Sequence, residues 1–262
     1  MVTLSVVIAV KNEEAIIRKC LEAVAWADEI VIIDNGSTDN TVKICKQYTK
    51  KIYSFPEKTL IPILQNKGIE KATKEWVLIL DADVIVPKEA VKEIQEKIKD
   101  TSIQGYYLLH KTYIAGKFMK SSFWSFNILK LFKKGYGYFP GKNAHESIQF
   151  NGNAGNIIAP LLHYSHLCLE VQISKLNLYS SQDAQQLCEQ KKGGLLKRRM
   201  KKASLFHLII YPFIYFMYLF IYRYGFKDGI HGCIVDCNMA IYTFLESAKM
   251  WEFQQREGKY DN

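Results

Sequence analysis

Two carboxylates, Asp81 and Asp83, follow directly on the apolar run Trp76-Val77-Leu78-Ile79-Leu80. Such a run predicts a buried strand, and in an open α/β sheet ligands bind just beyond strand ends. In that position one carboxylate can hold a divalent cation, and the other a ribose hydroxyl or a water. A solvated acidic turn would show the same spacing, so the flanking chain must decide. A second polar stretch, Asp34-Asn35-Gly36-Ser37-Thr38-Asp39, closes the apolar run Glu29–Ile33. Gly36 lets backbone approach a ligand closely, and Ser37, Thr38 or Asp39 can cap a following helix whose N-terminus favours anions. Lys11-Asn12-Glu13-Glu14 is a third such stretch, equally compatible with an ordinary helix start. In Gln65-Asn66-Lys67-Gly68, Lys67 could neutralise a diphosphate, although a lone lysine is more often solvated.

The elements that would carry these residues alternate. Leu4–Val10 is apolar and β-branched, and Ile16, Ile17, Cys20, Leu21 and Val24 fall at helical spacing. Val42, Ile44 and Cys45 predict another helix, and Pro87 opens one that carries Val91, Ile94 and Ile98. Continuous apolar strands alternating with helices imply a parallel sheet covered on both faces. The acidic and polar stretches then share one rim of that sheet. Residues 104–164 contain more strand and loop text, and the chain is mainly helical from Leu167.

Taken in order, these segments resemble the family 2 glycosyltransferases. The matching text is VVIAVKNEEAIIRKCLEAVAWADEIVIIDNGSTDNTV and then QNKGIEKATKEWVLILDAD. The resemblance implies an α/β GT-A fold with a mainly parallel twisted sheet flanked by helices, a nucleotide-sugar donor and a divalent metal, Mg²⁺ or Mn²⁺. It also implies roles. Ala9, Glu13, Asp34, Lys67, Asp81 and Ala82 would form the nucleotide-sugar site, with Asp34 at the nucleobase, Lys67 near the diphosphate and Asp81 on the ribose side. Asp83 would hold the metal, which neutralises the departing nucleoside diphosphate.

Ala144-His145-Glu146 and Pro160-Leu161-Leu162-His163-Tyr164-Ser165 are similar to elements of the inner-core lipopolysaccharide glucosyltransferases. That similarity implies UDP-glucose as donor and a lipid-linked glycan such as the lipopolysaccharide inner core as acceptor; another cell-surface polysaccharide or glycolipid is the alternative. Inverting transfer needs a group that takes the acceptor hydroxyl's proton. Glu146 is the candidate base, with His145 orienting it or binding substrate, and a surface loop pair is the alternative. His163 is a candidate third metal ligand or a structural histidine. The expected organisation is a catalytic domain over 1–165, split into a donor half 1–103 and an acceptor half 104–165. A helical region over 166–262 follows.

Charge is concentrated in that last region. Of the formal net +9, seven positive charges lie between Lys191 and Lys202 with no acidic residue among them. The uncharged run LFHLIIYPFIYFMYLFIY, Leu205–Tyr222, comes next. Tyr211, Tyr215, Tyr218 and Tyr222 recur at helical spacing, which suits a membrane interface where the ring is buried and the hydroxyl stays wet. The expectation is a monotopic helix on an anionic membrane, at the cytoplasmic face, anchored by the basic run. A spanning helix and a packed internal or dimer-interface helix are the alternatives, and the oligomeric state is open. No signal-peptide pattern precedes Lys11. Six cysteines in 262 residues are too sparse for a disulfide scaffold, and without a C-x-x-C pair they argue against a structural zinc site. Nucleic-acid binding through the basic run lacks any accompanying recognition motif, and a dinucleotide enzyme lacks G-x-G-x-x-G after the first strand.

Overall fold

The computed structural model describes residues 2–55, 59–141, 146–166, 168–190 and 204–260. They form two compact units, Met1–Thr112 with Phe126–Ser165 and Tyr113–Ser125 with His166–Asn262.

The first unit begins with β1 (Leu4–Val10), α1 (Ile17–Ala23), β2 (Glu29–Asp34), α2 (Thr41–Cys45) and β3 (Ile52–Ser54). It continues with α3 (Ile61–Lys71), β4 (Trp76–Asp81), β5 (Val84–Ile85) and α4 (Lys88–Lys97). Then come β6 (Gly105–Ile114), β7 (Lys117–Phe118), β8 (Ser125–Lys133), β9 (Gly137–Tyr138), β10 (Gln149–Phe150) and β11 (Ala154–His166); β7 and the ends of β6 and β8 belong to the second unit. The sheet order is β3-β2-β1-β4-β8-β6-β11-β5. β1, β2, β3 and β4 are mutually parallel, β8 runs antiparallel to β4, and β5 runs antiparallel to β11. The parallel half is the one its continuous apolar strands imply, because both faces are covered. One face packs Val6, Ile8, Ile32 and Leu78 with α1. The other packs Val7, Val31, Ile33 and Ile79 with Leu64 and Ile69 of α3.

Two details set how close the layers come. At Gly68 an added Cβ would lie 2.1 Å from Cγ1 of Val7, so the glycine is what lets α3 lie flat on β1. Pro62 begins α3, where its missing N–H costs nothing. β9 and β10 pair as a separate antiparallel ribbon, Gln149 opposite Tyr138 and Phe150 opposite Gly137, and so fix both ends of the segment between them.

The second unit is built on α5 (Leu169–Gln190) and α7 (Ile230–Tyr260), with α6 (Tyr211–Met217) flanked by π-helical turns Phe206–Ile210 and Tyr218–Tyr222. Polar anchors join α5 to α7. Tyr242 donates its hydroxyl proton to Asp183, and the Lys249 ammonium is bound by Asn177, Ser180 and Ser181. Tyr224 and Gly229, both at positive φ, frame a short 3₁₀ turn. Its Asp228 accepts the backbone N–H groups of Lys120 and Ser121 at 2.9 Å, which ties the 117–121 segment to the turn.

The spacing in 230–251 predicts packing for Ile230, Phe244 and Trp251, yet all three are exposed, while Val235, Met239 and Tyr242 are buried. The tyrosine stripe also departs from expectation. Tyr215 is buried with Leu219 against Leu176, Met239 and Tyr242, so part of the stripe faces protein rather than water. Leu205, Phe206, Ile209, Phe213 and Ile221 point outward instead. Among the described residues no helix is long and apolar enough to cross a membrane. The basic run 191–202 lies outside the described residues.

Candidate active site

Strand register assembles the donor end. β1 sets Val10 opposite Asp34 on one side and Ala9 opposite Asp81 on the other, so three strand ends meet at one rim. The loops beyond β1 and β2 are bound to each other. Asn12 takes a positive φ of 54° and accepts the Thr38 N–H at 2.8 Å, while its own N–H donates to Ser37 at 3.1 Å. Glu13 donates its N–H to Thr41 at 2.7 Å, and the Glu14 carboxylate accepts the Asn40 N–H at 2.9 Å. Asp34 is buried, and its Oδ1 accepts the Ser37 N–H at 3.0 Å. Asp39 accepts N–H groups from Thr41 and Glu14. Burial opposes its charge, but these hydrogen bonds outweigh that and hold its carboxyl below the ordinary value.

At the end of β4 the chain alternates. Ala82 turns inward and is buried, while Asp81 and Asp83 stay accessible on either side of it. Oδ1 of Asp83 lies 3.3 Å from Nε2 of His163. Strand pairing fixes that approach: His163 is opposite Val84, and the Tyr164 N–H donates to the Asp83 carbonyl at 2.8 Å. Beside His163 is His110 of β6, fully covered, edge-on at 6.0 Å between ring centroids and stacked on Phe126 at 5.4 Å. Burial pushes His110 down to about 3, so its imidazole is neutral. Cys20 donates its thiol to the Asp81 carbonyl, and burial raises that thiol far above its ordinary value, which excludes it as a nucleophile.

On the other side of Asp81 lies Lys130 of β8. Its ammonium is 3.3 Å from each carboxylate oxygen. A cavity of about 340 Å³ opens here, lined by Asp81, Lys130, Gln65 and Glu146 together with Ile61 and Phe139. Oε2 of Glu146 accepts the Gly141 N–H at 2.5 Å. The segment carrying Glu146 is held from α3: Asn66 Nδ2 donates to the Phe139 carbonyl, and the Phe139 N–H donates to Asn66 Oδ1.

The structure therefore brings Asp81 and Glu146 into one cavity, and Asp83 and His163 into contact. Ala9 and Asp34 lie at the same rim as Asp81, with Glu13 on the adjoining loop. Lys67 is not among the residues lining the cavity; its ammonium pairs with Glu70 at 3.1 Å on the exposed side of α3. His145 lies outside the described residues. Lys130, His110, Gln65 and Asn66 carry site geometry that the motifs did not assign. A lysine between Leu129 and Leu131, and a histidine after Leu108-Leu109, were the available signals: polar groups set into apolar strands.

The pair Asp83 and His163 fits a divalent cation. Two ligands each about 2.1 Å from one ion, near a right angle, stand roughly 3 Å apart, close to the 3.3 Å seen here. Among the described residues no third histidine, cysteine or carboxylate completes a set. Mg²⁺ and Mn²⁺ commonly fill such positions with phosphate oxygens and water.

The family model for glycosyl transferase family 2 matches residues 5–151. LpsC of Rhizobium meliloti (strain 1021), a lipopolysaccharide core biosynthesis glycosyltransferase, is 30% identical over 260 residues, covering 95% of this chain and 92% of its own. A glycosyltransferase of Rickettsia typhi is 29% identical over 269 residues, covering 96% and 88%. Among solved structures, S. aureus TarS 1–349 in complex with UDP-GlcNAc matches with a TM-score of 0.51 at 15% identity, over 98% of this chain and 92% of that one. At that identity the likeness is one of fold, the GT-A arrangement that the motifs imply. The chain is a glycosyltransferase and belongs to glycosyl transferase family 2.

Proposed function

We propose that the chain transfers a hexose, glucose from UDP-glucose, with inversion onto a lipid-linked glycan such as the inner core of lipopolysaccharide. The observation that carries this reading is the cavity that joins Asp81 at the donor rim to Glu146. The name of LpsC supports the acceptor class.

In this mechanism Asp34 meets the nucleobase and Asp81 the ribose, on the rim set by β1, β2 and β4. Asp83 and His163 would hold Mg²⁺ or Mn²⁺, and a cation bound there would offset the charge of the departing nucleoside diphosphate. Glu146 takes the acceptor hydroxyl's proton as the oxygen attacks the anomeric carbon. The Gly141 N–H fixes one oxygen of that carboxylate, so the base is positioned before the acceptor arrives. The neutral His110 packs beside His163 without adding charge to the metal end.

The acceptor's lipid implies a membrane surface. The outward Leu205, Phe206, Ile209, Phe213 and Ile221 and the basic run just before them in sequence support peripheral attachment to an anionic bilayer, at its cytoplasmic face.

The test is a donor screen with purified protein, scoring nucleoside diphosphate release with and without a lipid A–core acceptor. Acceptor-dependent release from UDP-glucose is expected. Release from a different donor, or with an unrelated acceptor alone, overturns the corresponding half. Glu146→Gln should lower kcat by about 10²- to 10⁴-fold while leaving UDP binding intact. Wild-type turnover removes Glu146 as the base.

A further inference from the structure

Lys130 sits in an apolar stretch of β8, between the buried Leu129 and Leu131. Its side chain is 8% exposed, whereas that of Asp81, its partner, is 40% exposed. The asymmetry matters. An accessible carboxylate needs no counter-ion to be stable, and exposed pairs contribute little. A buried ammonium, by contrast, carries a real desolvation cost. Stabilising Asp81 does not account for placing a lysine here.

The contact geometry is also loose. A committed ammonium–carboxylate hydrogen bond runs to about 2.7–2.9 Å, but here the nitrogen is 3.3 Å from both oxygens. The ammonium stands back from Asp81, in the wall of the cavity that also holds Gln65 and Glu146. The same cavity carries Asp81 of the donor rim and the proposed base Glu146.

We propose that Lys130 is a donor-binding residue whose ammonium takes a non-bridging oxygen of the diphosphate, beside a divalent cation at Asp83 and His163. This rests on the nucleotide-sugar reading of the same site. As the acceptor oxygen bonds to the anomeric carbon, the bond from that carbon to the phosphate oxygen breaks. Its electron pair stays on the diphosphate, the acceptor's proton goes to Glu146, and Lys130 meets the added negative charge. A positive charge 3.3 Å from both Asp81 oxygens also disfavours a dication on that carboxylate, which leaves Asp81 for the ribose and Asp83 for the metal.

The experiment is calorimetric titration of the full chain with UDP, GDP and dTDP, in Mn²⁺ and in EDTA, for wild type, Lys130→Met, Lys130→Arg and, as a control on the exposed face of α4, Lys92→Met. Wild type should keep weak binding of its nucleotide in EDTA. Lys130→Met should lose at least tenfold there, Lys130→Arg should recover part of it, and Lys92→Met should match wild type. The ligand-free melting temperature of Lys130→Met should equal that of wild type. Nucleotide binding in EDTA that Lys130→Met retains overturns the assignment. So does a lowered melting temperature with binding intact, which marks a structural pair. No nucleotide binding by wild type even with Mn²⁺ overturns the donor reading itself.

Discussion

The side-chain amide of Asn66 holds the backbone of Phe139 from both sides, donating to its carbonyl at 2.7 Å and accepting its N–H at 2.9 Å. Asn66 lies on α3, which Gly68 seats against β1, and Phe139 leads into the segment that bears Glu146. The sheet's parallel half thereby positions Glu146, the proposed base, through one side chain. Asn66→Ala removes both bonds, and a misplacement of about 1 Å can cost on the order of 10²-fold in rate. The expected outcome is a fall in kcat of roughly 10- to 100-fold with UDP affinity unchanged, measured by initial rates and by titration. A loss confined to UDP affinity would contradict the arrangement.

Removing one member of the proposed metal pair Asp83 and His163 should weaken metal binding rather than the fold. His163→Ala should raise the Mn²⁺ concentration for half-maximal activity by about 10- to 100-fold, and Asp83→Asn should abolish metal-dependent UDP binding. Activity of Asp83→Asn that is indifferent to EDTA would remove this carboxylate from the metal.

The outward face of the Leu205–Tyr222 segment gives a membrane prediction with a geometric control. Ile209→Asp with Phe213→Asp should reduce binding to anionic vesicles in a flotation assay by tenfold or more, and leave UDP binding intact. Changing the buried Leu219 to alanine should instead lower the melting temperature, because it opens a void against Leu176 and Met239. Equal vesicle binding by the double aspartate variant would place the lipid contact elsewhere.

Asp236 of α7 sets a pH dependence in the second unit. Burial, aided by the nearby negative Asp228, raises its pKa from the ordinary 3.8 to about 7. Between those two values the folded chain binds more protons here than the unfolded chain, so stability falls as pH rises across that window. Above about 7 the loss is complete. Asp236→Asn, which keeps the shape of the protonated acid, should melt a few degrees above wild type at pH 8. It should show little difference near pH 4. A constant gap at both pH values would show that the ionisation of Asp236 carries no penalty.

The parallel half of the fold was legible because its signal is local. An apolar strand ending in Asp34 or Asp81 states both the buried element and the polar rim beyond it. The antiparallel half was less so, because β8 and β11 carry no strand–helix alternation or acidic strand end that says which strand lies beside them. Lys130 shows the consequence: its role depends on β8 lying beside β4, and that neighbour cannot be read from Leu129-Lys130-Leu131. In Gln65-Asn66-Lys67-Gly68 the lysine is the chemically conspicuous residue, yet Asn66 and Gly68 do the positioning. The tyrosine stripe follows the same rule. Helical spacing establishes that residues share a face, but only the packing partner decides which way that face looks.

The reciprocal bonds between the loops after β1 and β2 carry an implication for altering donor choice. Asn12, Glu13 and Glu14 on one loop and Ser37, Thr38, Asp39, Asn40 and Thr41 on the other form a single cross-linked piece, with Asp34 capping its base. Substitutions within such a piece do not act independently. With Asp34 at the nucleobase as proposed, changing the nucleobase preference becomes an epistatic problem: single exchanges at this rim should lose binding before they redirect it. Paired exchanges across the two loops are the smallest steps that preserve the cross-link.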